Sequence, residues 1–138
     1  MRITLESDYA LRILTVIAER SDLIDAATIS EKTSVTQRFA LKILRKLVLG
    51  NLVSSTKGAK GGYKLKIPAE KITLKEVIEL IDGPIAIVRC LDNSECCSMN
   101  SDKSACIYHH IFDKISFDLA KKLSSVTIAD VINKTYSI

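Results

Sequence analysis

The hydrophobic period of the chain changes near residue 52, and this change constrains the fold more than any other feature. Upstream of it, apolar residues recur at helical spacing in three segments, 7–20, 26–32 and 36–49. Downstream of it, two short segments have the composition of strands, 52–56 and 63–67, and a Gly-rich loop joins them. The sequence therefore predicts three short helices followed by a β-ribbon. With 5% aromatic residues and no Trp, their shared core must be aliphatic.

The ends of these helices carry their own signals. Ser7 is the predicted N-cap of the first helix, because a serine hydroxyl accepts a hydrogen bond from a free N–H group at a helix start. Residues 33–35 form a tight turn, and Gly50 with Asn51 ends the third helix, since both residue types tolerate positive φ. Helix, short helix, turn, helix and ribbon is the order of a winged helix-turn-helix. We therefore expect a mainly α fold with a small β-wing.

This element order suits DNA. A helix fits the major groove and brings the side chains of its N-terminal end to base edges, while a basic hairpin tip lies along phosphates. Glycines in such a tip let the backbone approach closely. The predicted DNA contacts are Thr36, Gln37, Arg38 and Lys42 in the third helix, and Lys57, Lys60, Gly61, Gly62 and Tyr63 in the hairpin.

The distribution of charge supports the same interpretation. Residues 1–68 carry 12 Lys and Arg against 6 Asp and Glu, whereas residues 69–138 carry 8 against 10. The stretch from Lys32 to Lys66 contains nine basic residues and no acidic one. Because surface charge is usually mixed, a long stretch of one sign indicates a positive field that attracts a polyanion. Nucleic acid is the expected partner of the first half.

The second half predicts a helix, a long loop and two further helices. Thr73 and Glu76 form a capping box for a helix that runs to about Ile81. Residues 85–88 are apolar and extended or strand-like, and residues 89–105 form a loop of unusual length, which is commonly functional. Thr127 with Asp130 caps a final short helix. Between them a long helix carries an apolar stripe, which by itself indicates core packing: Ile107, Ile111, Ile115, Leu119 and Leu123.

All four cysteines lie within 17 residues, and the two histidines, His109 and His110, follow directly. In a cytosolic protein such a cluster is typical of metal or redox chemistry rather than disulfides. The paired Cys-x2-Cys spacing of structural zinc sites is absent, and the wide loop suits a larger group such as an iron–sulfur cluster. Adjacent residues of an extended chain point to opposite sides, so Cys96 and Cys97 are not expected to ligate together.

Several segments resemble the IscR/NsrR family of bacterial transcription regulators, the Rrf-type winged-helix proteins, over nearly the whole chain. The most specific is the wing, LVSSTKGAKGGYKL, and the others are MRITLESDYALRIL, TQRFALKILRKL, ITLKEVIELIDGPIAIVRC and TIADVI. The resemblance implies a homodimer, joined by the long helix after the cysteines, that regulates promoters through a pseudo-palindromic operator on double-stranded DNA. It also implies an iron–sulfur cluster, 2Fe–2S or 4Fe–4S, whose state sets DNA affinity.

The resemblance also implies which residues hold the cluster. Cys90 and Cys106 match the outer ligands, and the middle ligand is Cys97 or Cys96. The fourth ligand has two candidates. His109 lies three residues after Cys106, as the ligand does in the IscR branch, and Asp8 matches the acidic ligand that the partner subunit donates in the NsrR branch. Both patterns are present, so both remain open.

Under this interpretation the chain divides into three parts. Residues 1–82 form the DNA-binding domain, residues 83–106 the cysteine-bearing sensor loop, and residues 107–138 the dimerisation helix with the final short helix. Together they make a winged helix-turn-helix followed by a long C-terminal dimerisation helix.

Other functions receive less support. A regulator of the same fold that senses by cysteine oxidation or through a protein partner is the main alternative. An enzyme is disfavoured, because the sequence contains no Cys-x-x-Cys motif, no Gly-rich nucleotide loop after a strand and no carboxylate pair. No apolar run reaches the length of a membrane span and no signal peptide begins the chain, so we expect a cytoplasmic protein without membrane contact.

Overall fold

The computed structural model describes residues 3–92, 97 and 102–136. In this part of the chain three helices precede a two-stranded antiparallel ribbon, and helices follow it, so the mainly α fold with a small β-wing is confirmed. The elements are α1 (Leu5–Ala18), α2 (Ala26–Thr33), α3 (Gln37–Leu49), β1 (Val53–Thr56), β2 (Gly62–Leu65), a first 3-10 turn (Ala69–Lys71), α4 (Leu74–Asp82), α5 (Arg89–Asp92), a second 3-10 turn (Lys103–Ala105), α6 (Ile107–Ser124) and α7 (Ile128–Asn133).

The core is aliphatic and is centred on α1. This helix packs against α2, α3, α4 and α7, and its apolar stripe faces them. Burial of a Leu or Ile side chain is worth about 1.5–3 kcal/mol, so the interlocked stripes of α1 and α3 supply much of the stability. The buried residues of these two stripes are Ala10, Ile13, Leu14, Ile17, Ala40, Ile43, Leu44 and Leu47.

The start of α1 differs from the prediction. Thr4, not Ser7, is the N-cap, and its side chain accepts a hydrogen bond from the Ser7 N–H at 3.2 Å. Ser7 itself is fully buried on the core face of the first turn. The prediction was wrong because Thr4 and Ser7 are both capping residue types three positions apart. Which of them stands outside the helix depends on how α1 is anchored to the end of α4.

The wing is tied to the rest of the domain by a third extended segment. Ile24 and Tyr63 exchange two backbone hydrogen bonds, of 3.0 and 2.9 Å, so Ile24, two residues before the start of α2, extends the ribbon. A Cβ on Gly62 would lie 2.7 Å from the Ile24 oxygen, and one on Gly61 would lie 2.1 Å from the Thr56 oxygen. Both positions therefore require glycine for packing inside the protein.

The second half is joined to the first through α4 and α7. Thr73 caps α4 by accepting the Glu76 N–H, which is one of the two bonds of the predicted capping box. Thr127 and Asp130 cap α7 as predicted, and they form a reciprocal capping box. The two caps lie side by side, since Thr73 and Thr127 form a backbone bridge. This bridge returns the end of the chain to the first domain.

The described residues between α4 and α6 include two short helical elements. Residues 85–88 do not form a strand: Ile85 is buried, and the Ile87 N–H donates to the Ser116 hydroxyl of α6 at 3.1 Å. The predicted loop 89–105 begins with the single helical turn of α5, and its end contains the second 3-10 turn. Contacts with α6 hold both short elements, which local sequence pattern does not encode.

Candidate DNA interface and cysteine site

The outer face of α3 carries the predicted recognition residues. Thr36, Gln37 and Arg38 are all exposed at its start, and Thr36 is the N-cap without a hydrogen bond from its side chain to the helix. The Thr36 hydroxyl is therefore available to an external partner. An open groove along this face is lined by Gln37, Arg38, Leu41, Lys42 and Arg45.

The basic residues of α3 fall into two groups. Lys42 and Lys46 pair with Glu6 of α1, at 3.2 and 2.7 Å. The hydrogen bond from Lys46, more than any other contact, lowers the pKa of Glu6 below its ordinary value. By contrast, Arg38 and Arg45 form no ion pair with any residue that the structure describes. The arginines are thus the free cations of this face.

Leu41 was absent from the prediction, and Arg45 was placed on the polar face of the third helix without being named as a DNA contact. Both line the groove along α3, and both also line a second groove between α3 and the wing, together with Val48, Leu49, Ser55 and Tyr63. Leu41 and Arg45 lie three and seven residues after Arg38, so helical spacing alone places all three on one face. Leu41 was missed because an apolar residue is normally assigned to the core.

The wing presents two exposed lysines, Lys57 and Lys60, around Gly58. Gly58 adopts a φ of 108° with open space around it, so the tip keeps a positive-φ turn. The backbone of Tyr63 is occupied by Ile24, and its side chain is half-buried toward α3. Arg45 of α3 lines the groove between α3 and the wing, whereas Lys57 lines a separate groove between the wing and the start of α2.

The structure brings together two of the predicted cluster ligands. The Cys90 Sγ of α5 lies 3.7 Å from the His109 Nδ1 of α6. Cys106 is the residue before α6 begins, and its thiol is half-buried. Cys97 is also half-buried, whereas Cys96 lies outside the described residues. Over residues 3–92, 97 and 102–136, no three His, Cys, Asp or Glu side chains gather in a group that could hold a metal ion.

The two adjacent histidines differ. His110 Nε2 lies 2.8 Å from the Ser104 carbonyl oxygen, which can only accept, so His110 must donate an N–H there. That contact fixes His110 on the second 3-10 turn and away from Cys90. His109 is therefore the histidine that faces a cysteine.

Asp8, the alternative ligand, lies on α1 and pairs with Arg12 at 2.6 Å. It is about half exposed and lines an open groove formed by α1, α2 and α7 rather than the cysteine segment. Among the described residues, Asp8 and the cysteines do not belong to any group of three or more side chains that could hold a metal ion.

A chain of polar contacts joins the end of α4 to the recognition helix. The Thr4 N–H donates to the Asp82 carboxylate at 3.1 Å, and the Thr4 hydroxyl donates to its other oxygen. Burial alone would raise the pKa of Asp82, but the hydrogen bonds from Thr4 outweigh it and hold the pKa below its ordinary value. Two residues further along α1, Glu6 holds Lys42 and Lys46. The cysteine segment thus begins directly after a residue that is bonded to the N-terminal end of α1.

Comparison with known proteins identifies the family. The profile of the Rrf2 family, described as iron-dependent transcriptional regulator, matches residues 3–134. The chain belongs to the Rrf2 family. Among its relatives, the HTH-type transcriptional regulator IscR of Escherichia coli is 29% identical over 96% of this chain and 81% of its own length. Members of the Rrf2 family are transcription regulators that bind DNA, and they are not enzymes. The expectation of a DNA-binding regulator is therefore confirmed.

Solved structures show the same fold at low sequence identity. CymR, the global cysteine regulator of B. subtilis, matches with a TM-score of 0.79 and 21% identity over 99% of both chains. The oxidized form of CymR from Staphylococcus aureus matches with a TM-score of 0.73 and 21% identity, over 100% of this chain and 99% of that one. In the described parts of the Rrf2 chain, no helix is both long and apolar enough to cross a membrane.

Proposed function

We propose that this Rrf2 protein is a homodimeric transcription regulator whose operator affinity is set by an iron–sulfur cluster. Cys90, Cys97, Cys106 and His109 would hold the cluster, with Cys96 and the partner subunit's Asp8 as alternatives. The observation that carries the proposal is the 3.7 Å approach of Cys90 Sγ to His109 Nδ1. Two residues 19 positions apart in sequence meet there, and each is a ligand type that iron accepts.

The donor set fits an iron–sulfur cluster chemically. Three thiolates with one imidazole or carboxylate leave one ligand that is weaker and can be protonated, which suits a sensor. When bound, the cluster would supply a redox-active and labile centre. The residues of this chain would do the rest: Cys90 on α5 and His109 on α6 would be held together, which fixes the cysteine segment against α6.

A route from this segment to DNA follows from the packing. α6 packs against α4, and α4 ends at Asp82, which binds Thr4 at the start of α1. Glu6 on α1 then holds the lysines of α3. A change at the cysteines alters DNA affinity only if the cluster binds one arrangement of these helices more tightly than another.

The exposed face of α6 supports dimerisation. Ile107, Ile111 and Ile115 are 68%, 47% and 46% exposed, although their spacing forms one apolar stripe. A second copy of α6 would cover this face and produce a two-fold dimer, which reads a pseudo-palindromic operator. The proposed division is residues 1–82 for DNA binding, 83–106 for sensing and 107–138 for dimerisation. Since its target is bacterial DNA, the protein would act in the cytoplasm.

The test is iron and sulfide analysis of protein purified without oxygen. We expect wild-type protein to contain both elements, and His109→Ala to lose most of them. His110→Ala is the matched control, because its ring is already engaged with Ser104. If Asp8→Ala loses the cluster and His109→Ala keeps it, the fourth ligand is Asp8. Cys96→Ser and Cys97→Ser assign the middle ligand in the same way. Wild-type protein free of iron and sulfide would overturn the proposal.

One observation favours sensing by cysteine oxidation without a cluster. The described residues gather no three metal ligands, and CymR, whose oxidized form is one of the solved structures, shares the fold. Under this alternative, colourless protein would bind DNA and lose or gain affinity on treatment with hydrogen peroxide. A Cys90→Ser variant would lose that response.

A further inference from the structure

Leu41 is an apolar residue in the middle of a polar surface. It is 42% exposed, whereas Ala40, Ile43 and Leu44 beside it are fully buried in the core. Its helical neighbours on the outer face of α3 are Gln37, Arg38 and Arg45, at four, three and four residues. A single exposed leucine is ordinary in itself, so its meaning depends on what this face contacts.

The charges around Leu41 indicate which kind of partner contacts this face of α3. Arg38 lies one turn before it and Arg45 one turn after it, and neither pairs with a carboxylate among the residues that the structure describes. The wing tip carries two further exposed basic residues, Lys57 and Lys60. A positively charged surface of this kind is complementary to DNA, and it does not suit an apolar protein partner.

The chemistry of the major groove then limits what Leu41 can recognise. Base edges in that groove present hydrogen-bond donors and acceptors, and a single apolar group, the C5-methyl group of thymine. Leu41 borders both the groove along α3 and the groove between α3 and the wing, so an α3 seated in the major groove brings it to the base edges between those touched by Arg38 and Arg45.

We propose that Leu41 is a specificity-determining residue that packs against the methyl group of a thymine in the operator. It reads by shape and apolar contact what the flanking arginines cannot read by hydrogen bonding. The inference rests on DNA binding through α3 and is independent of the cluster. It adds a preference for thymine to whatever preference the arginines give.

The test replaces thymine by deoxyuridine, which removes only the methyl group. A duplex is first selected from a random pool by the anaerobically purified wild-type protein, and each thymine is then replaced in turn. We expect one symmetry-related pair of positions at which wild-type affinity falls about fourfold per site, the effect of burying one methyl-sized group. For Leu41→Ala the two duplexes should bind equally at that position.

Leu5→Ala is the matched control. Leu5 is also an exposed leucine, 61% exposed, but it lies on α1 and lines neither groove of α3. This variant should keep the discrimination between thymine and deoxyuridine. Thermal unfolding should show that both variants remain folded.

The outcomes separate the two proposals. If Leu41→Ala discriminates as well as wild type, or if no thymine is sensitive, Leu41 does not read a methyl group even though DNA binding stands. If the wild-type protein selects no duplex, both the reading of thymine and operator binding through α3 fail. If wild-type protein contains no iron but still discriminates thymine from deoxyuridine, the cluster proposal fails and the Leu41 proposal stands.

Discussion

Two helices of this protein, α1 and α6, carry apolar stripes of the same period, yet one stripe is buried and the other is largely open. Ile13 and Leu14 of α1 are fully buried, whereas Ile107 of α6 is 68% exposed. Packing explains the difference, because α1 is covered by α2, α3, α4 and α7, while α6 contacts α4, α5 and the second 3-10 turn. A stripe predicts that a helix will be covered, and it leaves open which chain covers it.

The comparison also separates two kinds of stability. The core around α1 is closed within one chain, because α7 contributes Ile128 to it, so we expect this core to fold without a second copy. The stripe of α6 is divided: its first three members are exposed, and Leu119 and Leu123 are half-buried. We therefore expect changes in α1 to act on folding and changes at the start of α6 to act on assembly.

The largest effect should follow loss of a buried side chain in α1. Leu14→Ala should lower the free energy of unfolding by about 2–5 kcal/mol, through lost burial and the cavity left behind. Urea denaturation at fixed protein concentration measures it as a lower midpoint with an unchanged slope. Leu5→Ala on the same helix, at a position 61% exposed, should change stability by less than about 0.5 kcal/mol. Similar losses for both variants would contradict a closed core around α1.

The next effect should appear in assembly. Ile111→Asp places a charge in the exposed stripe and should raise the dimer dissociation constant about 30-fold or more, while the monomer stays folded. Sedimentation equilibrium measures the change. Asp113→Lys is the control, since two residues along a helix is about the opposite side. A dimer that tolerates Ile111→Asp must use another surface.

Within the DNA-binding half, two substitutions should separate specific from general affinity. Arg38→Ala should cost about 1–3 kcal/mol on the selected duplex and relax base preference, because an arginine that reads guanine is lost. Lys60→Ala should weaken binding to all sequences alike and reduce the salt slope by about one. Gel shifts at several salt concentrations distinguish them. Equal loss of specific and non-specific binding in Arg38→Ala would remove it from base reading.

The smallest effect should appear in the dependence of stability on pH. Because its partner Lys46 depresses the pKa of Glu6, the contribution of Glu6 to stability is complete above its ordinary value of 4.5 and is lost as the pH falls through the depressed value. Glu6→Gln should therefore flatten the dependence of unfolding on pH in that acidic range. Urea titrations from pH 6 downward, to about pH 3, would show it. An unchanged profile would mean that the pair between α1 and α3 does not contribute.

Much of the fold could be predicted from local pattern. The three helices, the wing and the cap at Thr127 each depend on residues within a few positions, and each appears where it was expected except for the start of α1, which Thr4 caps instead of Ser7. The segment from 85 to 92 could not be predicted, because its order comes from α6: Ile87 binds Ser116, and Cys90 meets His109. Those contacts join residues 19 to 29 positions apart, and no local period encodes them.

The candidate sites could likewise be predicted only in part from local pattern. Helical spacing indicated Gln37, Arg38 and Lys42 as one face, but the pairing of Lys42 with Glu6 of α1 depends on how the helices pack. Gly61 and Gly62 were predicted as contacts for DNA. The structure shows that packing within the chain already requires glycine at both positions, because a Cβ on Gly61 or Gly62 would collide with the backbone oxygen of Thr56 or Ile24.

By itself, the sequence determined that the chain folds as a winged helix-turn-helix with a basic recognition face, because period, capping and charge are properties of neighbouring residues. It also placed the cysteines and histidines in one short stretch. For the residues that the structure describes, tertiary structure alone decided that His109 rather than His110 faces a cysteine and that the arginines of α3 form no ion pair. It also left Ile107, Ile111 and Ile115 of the α6 stripe exposed. These follow from the packing of distant helices, since a side chain's partners depend on the neighbouring element against which its own element rests.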